Sequence, residues 1–179
     1  MPILYVSLDN VLADFDAGAE QVLGRKPKEF IELHGEKEFW HRLKLAEGFF
    51  ASLGWAKGGK TLWGGISSRV PSPRILTTLP PGAWGEADKR AWVQRELGGS
   101  VPVIVATETT LKDFCSAGDV LISARKKREL DWATVGGEFV RHRGNAVGTL
   151  NELKRIDQGR PRPPRPSPNS GNASVGADD

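Results

Sequence analysis

The run Ile3-Leu4-Tyr5-Val6-Ser7-Leu8-Asp9-Asn10-Val11-Leu12-Ala13-Asp14-Phe15-Asp16 constrains this chain more than any other stretch. Tyr5, Val6 and Leu8, in a mostly apolar run that starts at Ile3, read as a buried strand of a parallel sheet, because strands covered on both faces lose the alternation of half-exposed ones. Asp9-Asn10 is a turn-type pair, and the chain passes there into an irregular segment. In open α/β sheets, ligands bind beyond the carboxyl ends of the strands. The polar cluster Ser7, Asp9 and Asn10 is therefore a site candidate.

The remaining bounds are broad. With 179 residues and 39% hydrophobic content the chain suits one domain of ordinary size, with room for a small insertion. The net charge is only +3, and several cations (Lys154, Arg155, Arg160, Arg162, Arg165) fall late in the chain. That local excess is a weaker sign of nucleic-acid binding than a basic face on a folded domain, so nucleic acid is not an expected partner. Cys115 is the single cysteine, which excludes an intrachain disulfide. The start lacks the charged region and long apolar run of a signal peptide, and no stretch approaches the ~20 apolar residues of a membrane span. The expectation is a cytoplasmic protein that does not enter a membrane.

Along the chain, Ala19, Val22 and Leu23 recur at helical spacing and Gly24 can close the helix. Residues 25–70 mix aromatic and aliphatic residues with charges in two or three short helical patterns. Pro71-Ser72-Pro73 marks a boundary, after which Arg74 to Leu79 reads as a short strand ending in hydroxyls. Glu86 to Leu97 is helical, with Ala87, Ala91, Trp92 and Leu97 as expected buried positions. Val101 to Ala106 reads as another buried strand, with Pro102 at its start, and Thr107 to Thr110 as its polar exit. Leu111 to Cys115 is a short helix or turn, in which Cys115 is expected to pack rather than react. A strand over Val120 to Ser123, a last strand at Phe139-Val140 and a last helix from Asn145 to Ile156 follow. None of the three histidines pairs at metal-ligand spacing, so all are read as structural or surface. From Gly159 the composition turns to Pro, Gly, Ser and Asn, which cannot bury enough apolar area to fold. Arg160 to Pro166 fits R-x-x-P-x-x-P, a pattern that can dock on a protein partner, although a tail without one is the plainer reading.

Four segments together resemble the haloacid dehalogenase (HAD) superfamily, in its 5'(3')-deoxyribonucleotidase-like branch. The first motif of that branch reads D-x-D-G-V-L-A-D-F; here it reads Ser7-Leu8-Asp9-Asn10-Val11-Leu12-Ala13-Asp14-Phe15. Thr77 matches the strand-end hydroxyl of the second motif and Lys89 the lysine of the third. Gly118-Asp119-Val120-Leu121-Ile122-Ser123-Ala124-Arg125 matches the fourth, G-D-V-L-I-D-D-R, with Ser123 and Ala124 replacing two carboxylates. Trp132, Gly136-Gly137, Phe139-Val140, His142-Arg143 and Thr149-Leu150 continue the likeness. The resemblance implies an α/β, three-layer Rossmann-like fold with a parallel central sheet. Residues 1–15 and 71–158 would form the core, 16–70 a small helical cap inserted after the first strand, and 159–179 a disordered tail.

The resemblance also implies a chemistry. A first Asp attacks phosphorus, a second Asp acts as acid and base, a Thr or Ser and a Lys hold the phosphoryl oxygens, and carboxylates bind one Mg²⁺. Here Ser7 stands at the nucleophile position, while Asp9 retains the acid/base position. Thr77, Lys89 and the backbone of Asn10 would bind phosphate, and Phe15 and Phe49 would face a nucleobase. Ser7, Ser123 and Ala124 remove the anionic metal ligands, and a serine hydroxyl is a weak nucleophile without a base. The expectation is a pseudo-phosphatase that binds a nucleotide, a phosphate or a protein partner and holds no metal cofactor. The alternative is an active phosphomonoesterase with an altered centre, acting on deoxyribonucleotides or a related small phosphate.

Overall fold

A computed structural model describes residues 2–159. The tail segment from 160 on, with its R-x-x-P-x-x-P pattern, lies outside the described residues. The elements run β1 (Leu4–Val6), α1 (Phe15–Leu23), α2 (Pro27–Leu45), α3 (Gly59–Ser67), β2 (Arg74–Thr78), α4 (Glu86–Leu97), β3 (Val103–Ala106), a 3-10 turn (Leu111–Phe114), β4 (Val120–Ser123), α5 (Arg128–Thr134), β5 (Glu138–Arg141) and α6 (Ala146–Asp157). The five strands pair in parallel in the order β3-β2-β1-β4-β5. This is an α/β fold with a Rossmann-like three-layer arrangement. No described helix is long and apolar enough to cross a membrane.

Strand pleating divides the core. Successive side chains of a strand point to opposite faces. Leu4, Val6, Ile75, Val120 and Ile122 meet Leu62 and Ile66 of α3, Trp92 and Val93 of α4 and Leu153 of α6. Tyr5, Leu76, Leu121 and Phe139 face the other way, onto Leu111 and Trp132. Tyr5 meets Trp132 edge to face at 5.6 Å, and its hydroxyl donates to the Phe114 carbonyl at 3.0 Å. Trp132 packs so closely on the β5 turn that a Cβ at Gly137 would lie 2.4 Å from its Nε1 and 2.5 Å from Cys115 Sγ. Gly137→Ala is expected to cost about 1–3 kcal/mol, as overpacking in a filled core does, measured as a lower urea midpoint.

Several details differ from the sequence expectation. Strand β1 stops at Val6, and Leu8 is buried in the turn that follows, where its carbonyl accepts from the N–H groups of Val11, Leu12 and Ala13. By contrast, the short helices expected over residues 25–70 are present: α2 is two helical stretches joined at Gly35, whose backbone (φ 82°, ψ 160°) is not helical, and α3 follows. Helix α3, within residues 16–70, packs against α6 of the main domain, as its apolar residues suggest. Ala87 and Ala91 face solvent; Lys89, Trp92 and Val93 are the buried side of α4, because that side lies over the sheet. Strand β3 starts at Val103 and is only half-buried, since it is the sheet edge.

Candidate functional site

The strand order reverses between β1 and β4: β2 and β3 lie on one side of β1, and the chain then crosses to β4 and β5 on the other. Such a switch point opens a crevice at the carboxyl ends of the strands, where open α/β sheets bind ligands. Ser7 follows β1, Ser123 ends β4, and the Ser7 N–H donates to the Ile122 carbonyl at 2.9 Å, holding the two serines side by side.

Pleat parity sorts the polar groups. Ser7, Thr78 and Ser123 lie two residues beyond Tyr5, Leu76 and Leu121 and so share their face, which carries α5. Thr77 shares the opposite face with Ile75, under α4. Lys89 reaches in from α4 with no exposed surface; its Nζ donates to Asp9 Oδ2 at 2.6 Å and to Thr77 Oγ1 at 3.2 Å, 4.2 Å from the centre of the Phe50 ring. Burial pushes the Lys89 ammonium below its ordinary value, and Asp9 opposes that shift.

On the α5 face the centre is Arg128, 5% exposed at the first turn of the helix. Its Nη1 lies 3.2 Å from Ser7 Oγ and 3.5 Å from Ser123 Oγ. Its Nη2 donates to Thr78 Oγ1 at 2.9 Å and to Glu108 Oε1 at 2.5 Å, and its Nε to Glu108 Oε2 at 3.3 Å. Glu108 also accepts from Arg125 Nη1 and the Thr78 hydroxyl, each at 3.0 Å, and has Lys127 Nζ at 3.6 Å. Burial raises the Glu108 pKa, but the Arg128 hydrogen bonds and the charges of Arg128 and Arg125 outweigh it, leaving the carboxyl at about 2.

These placements refine the sequence-derived site. Asp9, Thr77 and Lys89 come together, and Ser7 and Ser123 flank one point; Ala124 contributes no polar atom. Asn10 is not free to hold a phosphate. Its N–H donates to the Ala13 carbonyl at 2.7 Å, and its side chain exchanges hydrogen bonds with Asp16. Its φ of 58° explains why Asn can stand where the resembled motif has Gly, since Asn tolerates the left-handed region. Phe15 and Phe49 are buried in an aromatic cluster with Phe39, Trp40 and Phe50, because α1 and the Gly48 turn fold under α2. The aromatics on the cleft wall are Trp40 and Phe50 instead. That cleft, about 140 Å³, is also lined by Asp9, Lys89, Glu108 and Arg125. Arg128 and Glu108 were missed by the sequence reading. The available signal was four consecutive cations, Arg125 to Arg128, directly after Ser123-Ala124, with Glu108 the lone carboxylate in a threonine run.

Other candidates stand apart from this cleft. His142 is buried with Nδ1 2.9 Å from Thr149 Oγ1, and burial holds its imidazole below the ordinary value. His34 and His41 are exposed. Cys115 packs beside Trp132, and burial, with Asp119 adding to it, pushes its thiol to about 11. Among the described residues, no group of three or more His, Cys, Asp or Glu side chains is gathered as for a metal ion.

A five-stranded parallel α/β sheet with a lysine–aspartate pair and a strand-end threonine at its switch point defines a Rossmann-like protein with a charged crevice. No family model matches the chain. A protein of Vibrio phage KVP40 named "Putative 5'(3')-deoxyribonucleotidase" is 31% identical over 130 residues, covering 70% of this chain and 68% of the phage protein. The chain belongs to this 5'(3')-deoxyribonucleotidase-like family.

Proposed function

We propose that this chain is a pseudo-phosphatase of the nucleotidase family, binding a phosphate monoester, with a nucleotide as the leading candidate, and not cleaving it. The observation that carries the reading is Ser7. By the HAD resemblance it stands at the nucleophile position, yet its hydroxyl faces Arg128 at 3.2 Å, a group that cannot accept its proton. Asp9, the carboxylate nearest in sequence, pairs with Lys89 at 2.6 Å rather than with Ser7. Lys89, Arg125 and Lys127 line the cleft opposite Asp9, Glu36 and Glu108 and give a phosphate three cations to bind, and at about 140 Å³ the cleft holds a phosphate group more readily than a whole nucleotide. The base would then lie toward Trp40 and Phe50.

A second reading has its own support. Asp9, Thr77 and Lys89 stay in mutual contact, the arrangement an acid/base carboxylate and two phosphoryl-binding groups would need in an active phosphomonoesterase. The discriminating experiment is a panel of deoxyribonucleoside monophosphates, with and without Mg²⁺, followed by calorimetry and phosphate release. Binding without release is the expected result. Mg²⁺-dependent release that Asp9→Asn abolishes would establish the second reading.

A further inference from the structure

The residues at the switch point do not suit a divalent cation. Hard cations take oxygen ligands, preferably carboxylates. Here Ser7 and Ser123 offer hydroxyls, and both hydroxyls face the Arg128 guanidinium. Asp9 is held by Lys89, and Glu108 by Arg125, Lys127 and Arg128. A metal ion between the two serines would sit against a buried positive charge.

We propose that Arg128 is the resident cation of this centre, in the place where the family resemblance puts a metal, and that Glu108 is its displaceable counter-anion. A phosphate group enters by taking the position of Glu108 on Arg125, Lys127 and Arg128, with no metal required. This rests on the phosphate-binding reading above and adds how the site is gated.

Three features argue for it. First, Arg128 is preorganised. Its side chain is 7% exposed, and three hydroxyls from three strand ends (Ser7, Thr78 and Ser123) surround its terminal nitrogens. The guanidinium therefore holds its place whether or not a ligand is present. Second, Glu108 presents two oxygens to a guanidinium fork, the geometry a phosphate also presents. It does so from the turn after the edge strand, with a third of its side chain exposed, and its partners Arg125 and Lys127 are more open still. Third, the charges match. Lys89, Arg125, Lys127 and Arg128 face three carboxylates, Asp9, Glu36 and Glu108. With Glu108 swung out two positive charges are left over, the complement of a phosphate monoester dianion, which favours the doubly charged guest over the singly charged carboxylate.

The test uses the full chain and two probes, inorganic phosphate and a deoxyribonucleoside monophosphate, titrated in EDTA and again in Mg²⁺. Equal affinity under both conditions is expected. Glu108→Gln removes the competing charge while keeping a carbonyl for Thr78 and Arg128, and should tighten phosphate about ten-fold, the worth of one charge-assisted hydrogen bond. Should that variant fold poorly by circular dichroism, Lys127→Gln serves instead; it is exposed and should weaken both probes several-fold. Phosphate and nucleotide binding with similar affinity would mark the phosphate group as the ligand, and much tighter nucleotide binding would add a contribution from the base. Mn²⁺ alone, followed by its electron paramagnetic resonance signal, should stay free. Phosphate binding that needs Mg²⁺, or that Glu108→Gln leaves unchanged, would overturn the gating inference and leave the binding reading standing. Absence of binding by either probe to the parent and to Glu108→Gln would overturn the binding reading itself. Mn²⁺ captured at submillimolar concentration would overturn the role of Arg128 on its own.

Discussion

Replacing Lys89 with methionine is expected to destabilise the protein by about 3 kcal/mol, the low end for breaking a buried ion pair by removing one partner. The lysine has no exposed surface, and its ammonium is shared between Asp9 and Thr77. Methionine keeps most of the volume, so the loss is electrostatic rather than a cavity. It leaves the Asp9 carboxylate, whose side chain is 18% exposed and whose Oδ1 is already buried without a partner, with no counter-charge. For a chain of this size the loss corresponds to a fall in melting temperature of roughly 6–12 °C. Adding Asp9→Asn to Lys89→Met should recover at least half of it, because the uncompensated charge is then gone. Urea denaturation of the two single variants and the double variant gives the coupling directly. Independent losses that simply add would show that the pair does not carry the stability assigned to it.

The second large effect concerns restoring the replaced carboxylates. Ser7→Asp, Ser123→Asp and Ala124→Asp together reinstate the acidic pattern of the resembled motifs. The structure predicts that this triple variant still fails to release phosphate with Mg²⁺. The new carboxylates at 7 and 123 would arise beside Arg128 Nη1, which already lies within 3.2 and 3.5 Å of the serine oxygens, and would pair with it. Adding Arg128→Met frees them. A metal contributes several kcal/mol to such reactions, so Mg²⁺-dependent release should rise about a hundred-fold or more over the triple variant. Turnover by the triple variant alone would mean that Arg128 yields its place readily.

The fold was largely legible because its signals are local. Helix α4 spans Glu86–Leu97 as its periodicity predicts; Gly24, at φ 72°, closes α1, and Asn145 caps α6 through Gly148. The misjudged elements were those whose exposure depends on neighbours. Ala87 and Ala91 looked like a core stripe, but the sheet lies against Lys89, Trp92 and Val93. Phe15 and Phe49 looked suited to a ligand, but they fill the aromatic cluster beneath α2 and leave the cleft wall to Trp40 and Phe50.

By itself the sequence determined which side chains end the strands and on which face each one falls. Parity places Ser7, Thr78 and Ser123 on the Tyr5–Leu76–Leu121 face and Thr77 on the other, whatever packs there. It also determined that serine, serine and alanine stand at positions 7, 123 and 124, where the resembled motifs carry carboxylates. Only the tertiary structure decided what lies beside them. Arg128 lies 121 residues from Ser7 and 50 from Thr78 along the chain, and Glu108 lies 20 from Arg128. No local pattern encodes those separations. They are brought together because β4 pairs with β1, and α5 then starts above the ends of both strands. There a buried guanidinium is stable only with hydroxyl acceptors around it and a carboxylate within reach.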